Sequence, residues 1–322
     1  MKQSRLERKQ GLAGDALARM LRGVVVMGLA ALLALGAPQA VAQRFDQGLL
    51  WRIEGAGAAP SHLFGTIHLD DGRVTALPAP VARALDGSGS FTMEVALDSA
   101  NVMQLASRMV YLDGRELPAV TGEALFGKLA TYTTTLGIPP ELARLFKPWA
   151  MALLLLMPAQ RSADVLDNVL FRIAVERGKP VYQLEGVDEQ VGAFEGMSEA
   201  DQVALLRLAL EIRERMPRAT EQLIGAYLKR DLGAMWRINE ETSGDNPEAK
   251  RLSAIFTRRL LDDRNLRMVE RMQPQLKSGN GFIAVGALHL YGERGLLALL
   301  QQRGYRVTRV YCFACTATPT PW

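Results

Sequence analysis

Two segments 221 positions apart run into the same local pattern, Gly65-Thr-Ile-His68 and Gly286-Ala-Leu-His289. Each is preceded by an apolar, strand-like stretch, Ser61-His-Leu-Phe-Gly-Thr-Ile-His-Leu69 and Gly281-Phe-Ile-Ala-Val-Gly286, and each is followed by turn-forming residues. Whatever this chain folds into must draw strands from both of its ends. Leu49-Leu-Trp-Arg-Ile-Glu54 alternates like a further strand and, across the turn Gly55–Pro60, should pair with Ser61–Leu69 as a hairpin. Ser90–Leu97, Val181–Leu184 and Tyr305–Tyr311 also read as strands. Between Ser99 and Met272 the pattern is otherwise helical. Leu153-Leu-Leu-Leu-Met157 is apolar on every face and so should be buried, Ala163–Arg177 is amphipathic, and Ser198 is set to cap a helix that reaches Arg215. Glu293–Arg303 reads as a last helix, closed by Gly304.

The formal charge of +4 does not point to nucleic acid. Residues 1–42 hold six of the 38 Lys and Arg against two of the 34 Asp and Glu, and the rest of the chain is balanced. Those 42 residues read as a signal peptide. A basic segment precedes the apolar run Val24–Leu35, and Ala40-Val-Ala42 offers small residues for cleavage. The run falls short of the roughly 20 residues of a membrane-spanning helix. The expectation is a periplasmic or secreted chain from Gln43 to Trp322, with Met1 and Met20 both open as starts and a retained anchor as the alternative.

Only three histidines occur, and two of them fill the Gly-x-x-His pattern. Glycine three positions before an imidazole removes bulk where backbone or ligand must approach, and strand ends are where ligand crevices form in open α/β sheets. His62 lies about 20 Å along the strand from His68 and so should not share a ligand with it. Two imidazoles need a carboxylate to hold a divalent cation. Glu94 is the first candidate, because an acid within Phe91–Leu97 is costly unless paired or bound. The competing expectation is an acid on a solvent-facing edge strand. Glu185 is a further strand-end acid. Arg264 and Asn265 could orient a ligand, or could lie on a solvated helix face. Cys312 and Cys315 have redox spacing with no helix after them, which points to a disulfide or to two idle thiols. The sequence contains no His-Glu-x-x-His, Gly-x-Ser-x-Gly, Walker A or dinucleotide-binding motif.

Taken together, Leu63-Phe-Gly-Thr-Ile-His-Leu69, Phe91-Thr-Met-Glu94, Asp262-Asp-Arg-Asn265 and Phe282-Ile-Ala-Val-Gly-Ala-Leu-His-Leu290 resemble motifs of the TraB/GumN family, which includes the Tiki proteases. The resemblance runs from about Leu49 to Val310. It implies an α/β fold with two related halves, each bearing a Gly-x-x-His histidine. The N-terminal half would cover about 43–120, a helical insertion about 121–272, and the C-terminal α/β segment about 273–322. It also implies a metal-dependent, peptidase-like hydrolase. His68, His289 and Glu94 would be metal ligands or catalytic groups, Arg264 and Asn265 polar support, and Glu185 an additional acid. The metal would be Mn, Co or Zn, and the substrate a peptide or a small ester or amide. Two alternatives stand beside this reading: a non-catalytic binder of metal, haem or peptide, and a metal-free His/Glu esterase.

Overall fold

The computed structural model describes residues 45–55, 57–96, 98–158 and 164–310. The expected signal segment and the Cys312/Cys315 pair lie outside these residues.

The sheet has six strands, β1 (Leu50–Glu54), β2 (Ser61–Thr66), β3 (Ser90–Met93), β4 (Val181–Gln183), β5 (Gly281–Gly286) and β6 (Arg306–Arg309), in the order β4-β3-β5-β2-β1-β6. The hairpin forms as the sequence suggests, with β1 antiparallel to β2 and Arg52 opposite His62. β5 enters between β2 and β3 and is parallel to both, pairing Thr66 with Gly286 and Phe91 with Phe282. Because β2, β3 and β5 run the same way, their C-terminal ends at Thr66, Met93 and Gly286 open on one edge of the sheet. That edge is where parallel α/β sheets place their ligands.

β5 is buried along its whole length, as expected for a short apolar run flanked by strands and covered on both faces. Phe282 contacts Phe64 and Phe91 at ring-centroid distances of 6.0 and 6.3 Å. Truncating so enclosed a ring to alanine costs about 3–5 kcal/mol. β3 stops at Met93 rather than continuing to Leu97. Beyond it, the Glu94 carbonyl accepts from the N–H groups of Leu184 and Glu185, which turns the chain out of the ladder and leaves the Glu94 side chain pointing across the strand ends.

The helices used below are α1 (Ala79–Gly87), α2 (Pro148–Leu156), α3 (Leu166–Glu176), α4 (Glu199–Ile212), α5 (Met216–Leu228), α6 (Leu232–Ser243), α7 (Asp263–Arg271) and α8 (Leu296–Gln302). They sort into two hydrophobic cores. One is built on the sheet with α1, α3, α7 and α8. The other is helical, centred on α2 and α4. Every residue of α2 is buried, the solution for a helix apolar all round, and Trp149 stacks on Phe194 at 5.3 Å. Ser198 caps α4 by accepting from the Asp201 N–H. Among the described residues, no helix is long and apolar enough to cross a membrane.

Candidate functional site

His68 and His289 both follow strands, His68 two residues after β2 and His289 within a tight turn, Ala287–Leu290, after β5. Both are buried, and each is tethered through Nδ1. Asp167 accepts from His68 Nδ1 at 2.7 Å and from the Thr66 hydroxyl at 2.7 Å. Asn265 Oδ1 accepts from His289 Nδ1 at 2.6 Å, and Asn265 Nδ2 in turn donates to the Arg294 carbonyl, which fixes the orientation of the amide. In each ring this places the lone pair on Nε2.

Glycine leaves little spare room beside the rings. A Cβ on Gly286 would lie 3.2 Å from His68 Nε2 and 3.4 Å from Glu94 Oε1, and one on Gly65 would strike Leu290 at 2.7 Å. The Gly65 carbonyl accepts from the Tyr227 hydroxyl at 2.9 Å, which ties α5 to the end of β2.

Glu94 is buried rather than on a solvent-facing edge, because β4 and β5 flank β3. Its Oε1 accepts from the Gly286 N–H at 2.6 Å, and its Oε2 accepts from Arg264 Nη2 at 2.6 Å. Arg264 is wholly buried, not on a solvated helix face. It reaches the site because Thr257–Asp262 winds as a wide π-helical turn, a feature that often marks functional sites. Its Nε donates to Glu185 Oε2 at 2.7 Å. Nη1 donates to the Leu260 carbonyl at 3.0 Å and to His289 Nε2 at 3.1 Å, and Nη2 serves both Glu94 and Glu185. All five guanidinium N–H groups are engaged. Half-exposed Arg267 adds a contact to Glu185 at 3.4 Å.

The electrostatics follow from these contacts. Burial opposes ionisation of Glu94, but Arg264, then His289 and His68, with the Gly286 N–H, outweigh it and hold the carboxyl at about 2. Burial, reinforced by Arg264 and His68 against Glu94, drives His289 down to about 3, so this ring is neutral. Burial also opposes charge on His68, yet Asp167 prevails and lifts it above the usual imidazole value.

The sequence analysis missed Asp167. It occupies the first turn of α3, on the buried stripe Leu166, Leu170, Ala174. An acid on the apolar face of an amphipathic helix is a readable signal, but one easily taken for a charge that simply favours a helix N-terminus. His62 behaves as expected: it lies half-buried opposite Arg52, away from the cluster.

Among the described residues, no three His, Cys, Asp or Glu side chains already surround one cation position. The chemistry of the donors nevertheless fits a divalent ion. Histidines that bind metals characteristically donate their other N–H to an oxygen, as both do here. Two buried carboxylates, Glu94 and Glu185, share one buried arginine, and a third, Asp167, pairs with His68. His68 Nε2 and Glu94 Oε1 both lie beside Gly286, whereas His289 Nε2, 3.8 Å from Glu94 Oε1, is held by Arg264 and could join only by exchanging that bond.

His68 and His289 also line a cavity with about 600 Å³ of open space, its mouth included. Fold and site together define an α/β protein with a polar, charge-coupled cluster at the ends of parallel strands, opening into an apolar pocket. The TraB/PrgY/gumN family model matches residues 49–309, and the chain belongs to that family. It is 25% identical to metalloprotease TIKI2 of Danio rerio over 320 residues, covering 83% of this chain and 62% of that protein, so it spans under two thirds of that relative's length. It is 25% identical to the uncharacterized protein YbaP of Shigella flexneri over 251 residues, covering 76% and 89%. A metalloprotease TIKI homolog of Nematostella vectensis is 28% identical over 171 residues, covering 47% and 36%. No solved structure gave a significant match.

Proposed function

We propose that this chain is an exported, metal-dependent hydrolase acting on peptide bonds. The observation that carries the reading is the Asp167–His68 pair, whose Nε2 lies with Glu94 Oε1 beside Gly286 in the pocket wall. The distant TIKI relatives, named metalloproteases, support it.

His68, Glu94 and, on release from Arg264, His289 would hold a divalent ion such as Mn²⁺, Co²⁺ or Zn²⁺. When bound, such an ion polarises the scissile carbonyl and acidifies the attacking water. Asp167 keeps His68 in the tautomer that presents its Nε2 lone pair and increases the basicity of that nitrogen. Glu94, held ionised down to about 2, serves as an acceptor throughout the neutral range and not as an acid. Arg264 has no N–H left for substrate and is a positioning residue, holding Glu94, Glu185 and His289 in register. Asn265 does the same for His289.

A second reading, a metal-free esterase with His68 as base, is favoured by one contact, that of Arg264 on His289 Nε2. The test compares wild type, His68→Ala and Asp167→Asn for divalent metal by elemental analysis and for hydrolysis of a peptide library, with and without chelator. Near-stoichiometric metal in wild type, lost with activity in His68→Ala, supports the first reading. Hydrolysis indifferent to chelator supports the second. Undiminished activity in His68→Ala would sink both.

A further inference from the structure

The cavity lies at the seam of the two cores. Ile67, Leu69 and Leu288 come from the strand ends, Leu223 and Met235 from the sheet core, and Met216 from the helical core. Met216, Thr220 and Leu223 lie at helical spacing along one face of α5, opposite the two histidines. Apart from those imidazoles, its lining contains no ionisable side chain, and its one buried hydroxyl, on Thr66, is committed to Asp167. The open space, its mouth included, exceeds what a methyl group fills. Unbranched, polarisable methionines on two sides make a wall that adapts to long flexible groups.

We infer that this cavity is a specificity pocket for a long, unbranched apolar side chain next to the bond that is cut, as in a methionine-containing peptide, and that it rejects acidic and basic side chains. The inference rests on the hydrolase reading for its meaning but not for its test. His68 and His289 form part of the pocket wall, so a side chain seated there brings its own backbone against the reacting nitrogen. A charged side chain in the same place would lose its water and, among the apolar lining beyond the imidazoles, find no oppositely charged side chain.

The test uses the full chain labelled with ¹³C-methyl methionine, its Met216 and Met235 signals assigned through Met216→Leu and Met235→Leu. N-acetyl-X-methylamides with X as alanine, norvaline, norleucine, lysine or aspartate are titrated by NMR. Each buried methylene should tighten binding by up to about fourfold, so norleucine should exceed alanine at least tenfold. The Met216 and Met235 methyls should move with norleucine and stay still with aspartate. Thr220→Arg should erase the chain-length gradient. The same residue series placed in quenched peptides reads turnover. Turnover with no dependence on X, or flat binding, overturns the pocket and leaves the hydrolase reading standing. Graded binding to Met216 and Met235 with no turnover keeps the pocket and overturns the hydrolase.

Discussion

Replacing Arg264 by methionine removes the one cation wholly inside the site while nearly preserving side-chain volume. Five hydrogen bonds go with it, and Glu94 and Glu185 lose their shared partner. Glu185 keeps only the 3.4 Å contact to Arg267, whereas Glu94 keeps the Gly286 N–H. Breaking a buried pair by deleting one member costs about 3–5 kcal/mol. We expect the upper part of that range at pH 7, because two carboxylates are orphaned. The gap between the two proteins should then narrow as pH falls. In the wild type the Glu94 carboxyl sits at about 2 in the folded state against 4.5 when free. Its contribution is therefore complete above pH 4.5 and is lost as pH falls toward 2. In Arg264→Met the folded Glu94 carboxylate is desolvated without its cation, its affinity for protons rises above that of the unfolded chain, and the variant should recover part of its loss relative to wild type as pH falls from 7 to 5. Urea denaturation followed by far-ultraviolet circular dichroism at pH 7, 6 and 5 measures both effects. A loss below 1 kcal/mol at pH 7, or a wild-type-to-variant difference that does not narrow between pH 7 and 5, would refute the charge-coupled arrangement.

Gly286→Ala should cut activity at least tenfold with little change in thermal midpoint, because its Cβ enters the space at His68 Nε2 and Glu94 Oε1. Kinetics beside a melting curve separates the two effects. Tyr227→Phe leaves the Gly65 carbonyl without its 2.9 Å donor and should cost about 1–3 kcal/mol in urea titrations, with the pocket otherwise intact.

Much of this arrangement can be read from the residues. His68, Glu94 and His289 stand out because each is a polar side chain at the end of an apolar, strand-like run, where an isolated charge is expensive. The hairpin of β1 and β2 follows from alternation and a short turn. The placement of β5 between β2 and β3 does not, since no local pattern says which parallel strands will be neighbours. Arg264 also resists reading. Leu261-Asp-Asp-Arg-Asn-Leu266 looks like a solvated helix until the π-helical turn rotates its arginine inward, and such a turn has no simple sequence signature. Asp167 was legible in principle, as an acid on a buried stripe, but its partner lies 99 residues away in the chain.

The position of β5 has a consequence for how the molecule comes into being. His62 opposes Phe282 across neighbouring parallel strands, a contact spanning most of the chain. High contact order of this kind slows folding, because a very large loop must close before the pairing rewards it. The hairpin and the helices can form early, but Gly286 and His289 arrive with the final fifth of the sequence. A nascent or truncated chain that ends before Gly281 would therefore carry His68, Glu94, Asp167, Glu185, Arg264 and Asn265 without Gly286 and His289, and would leave the facing edges of β2 and β3 open to other strands until the last segment slots in.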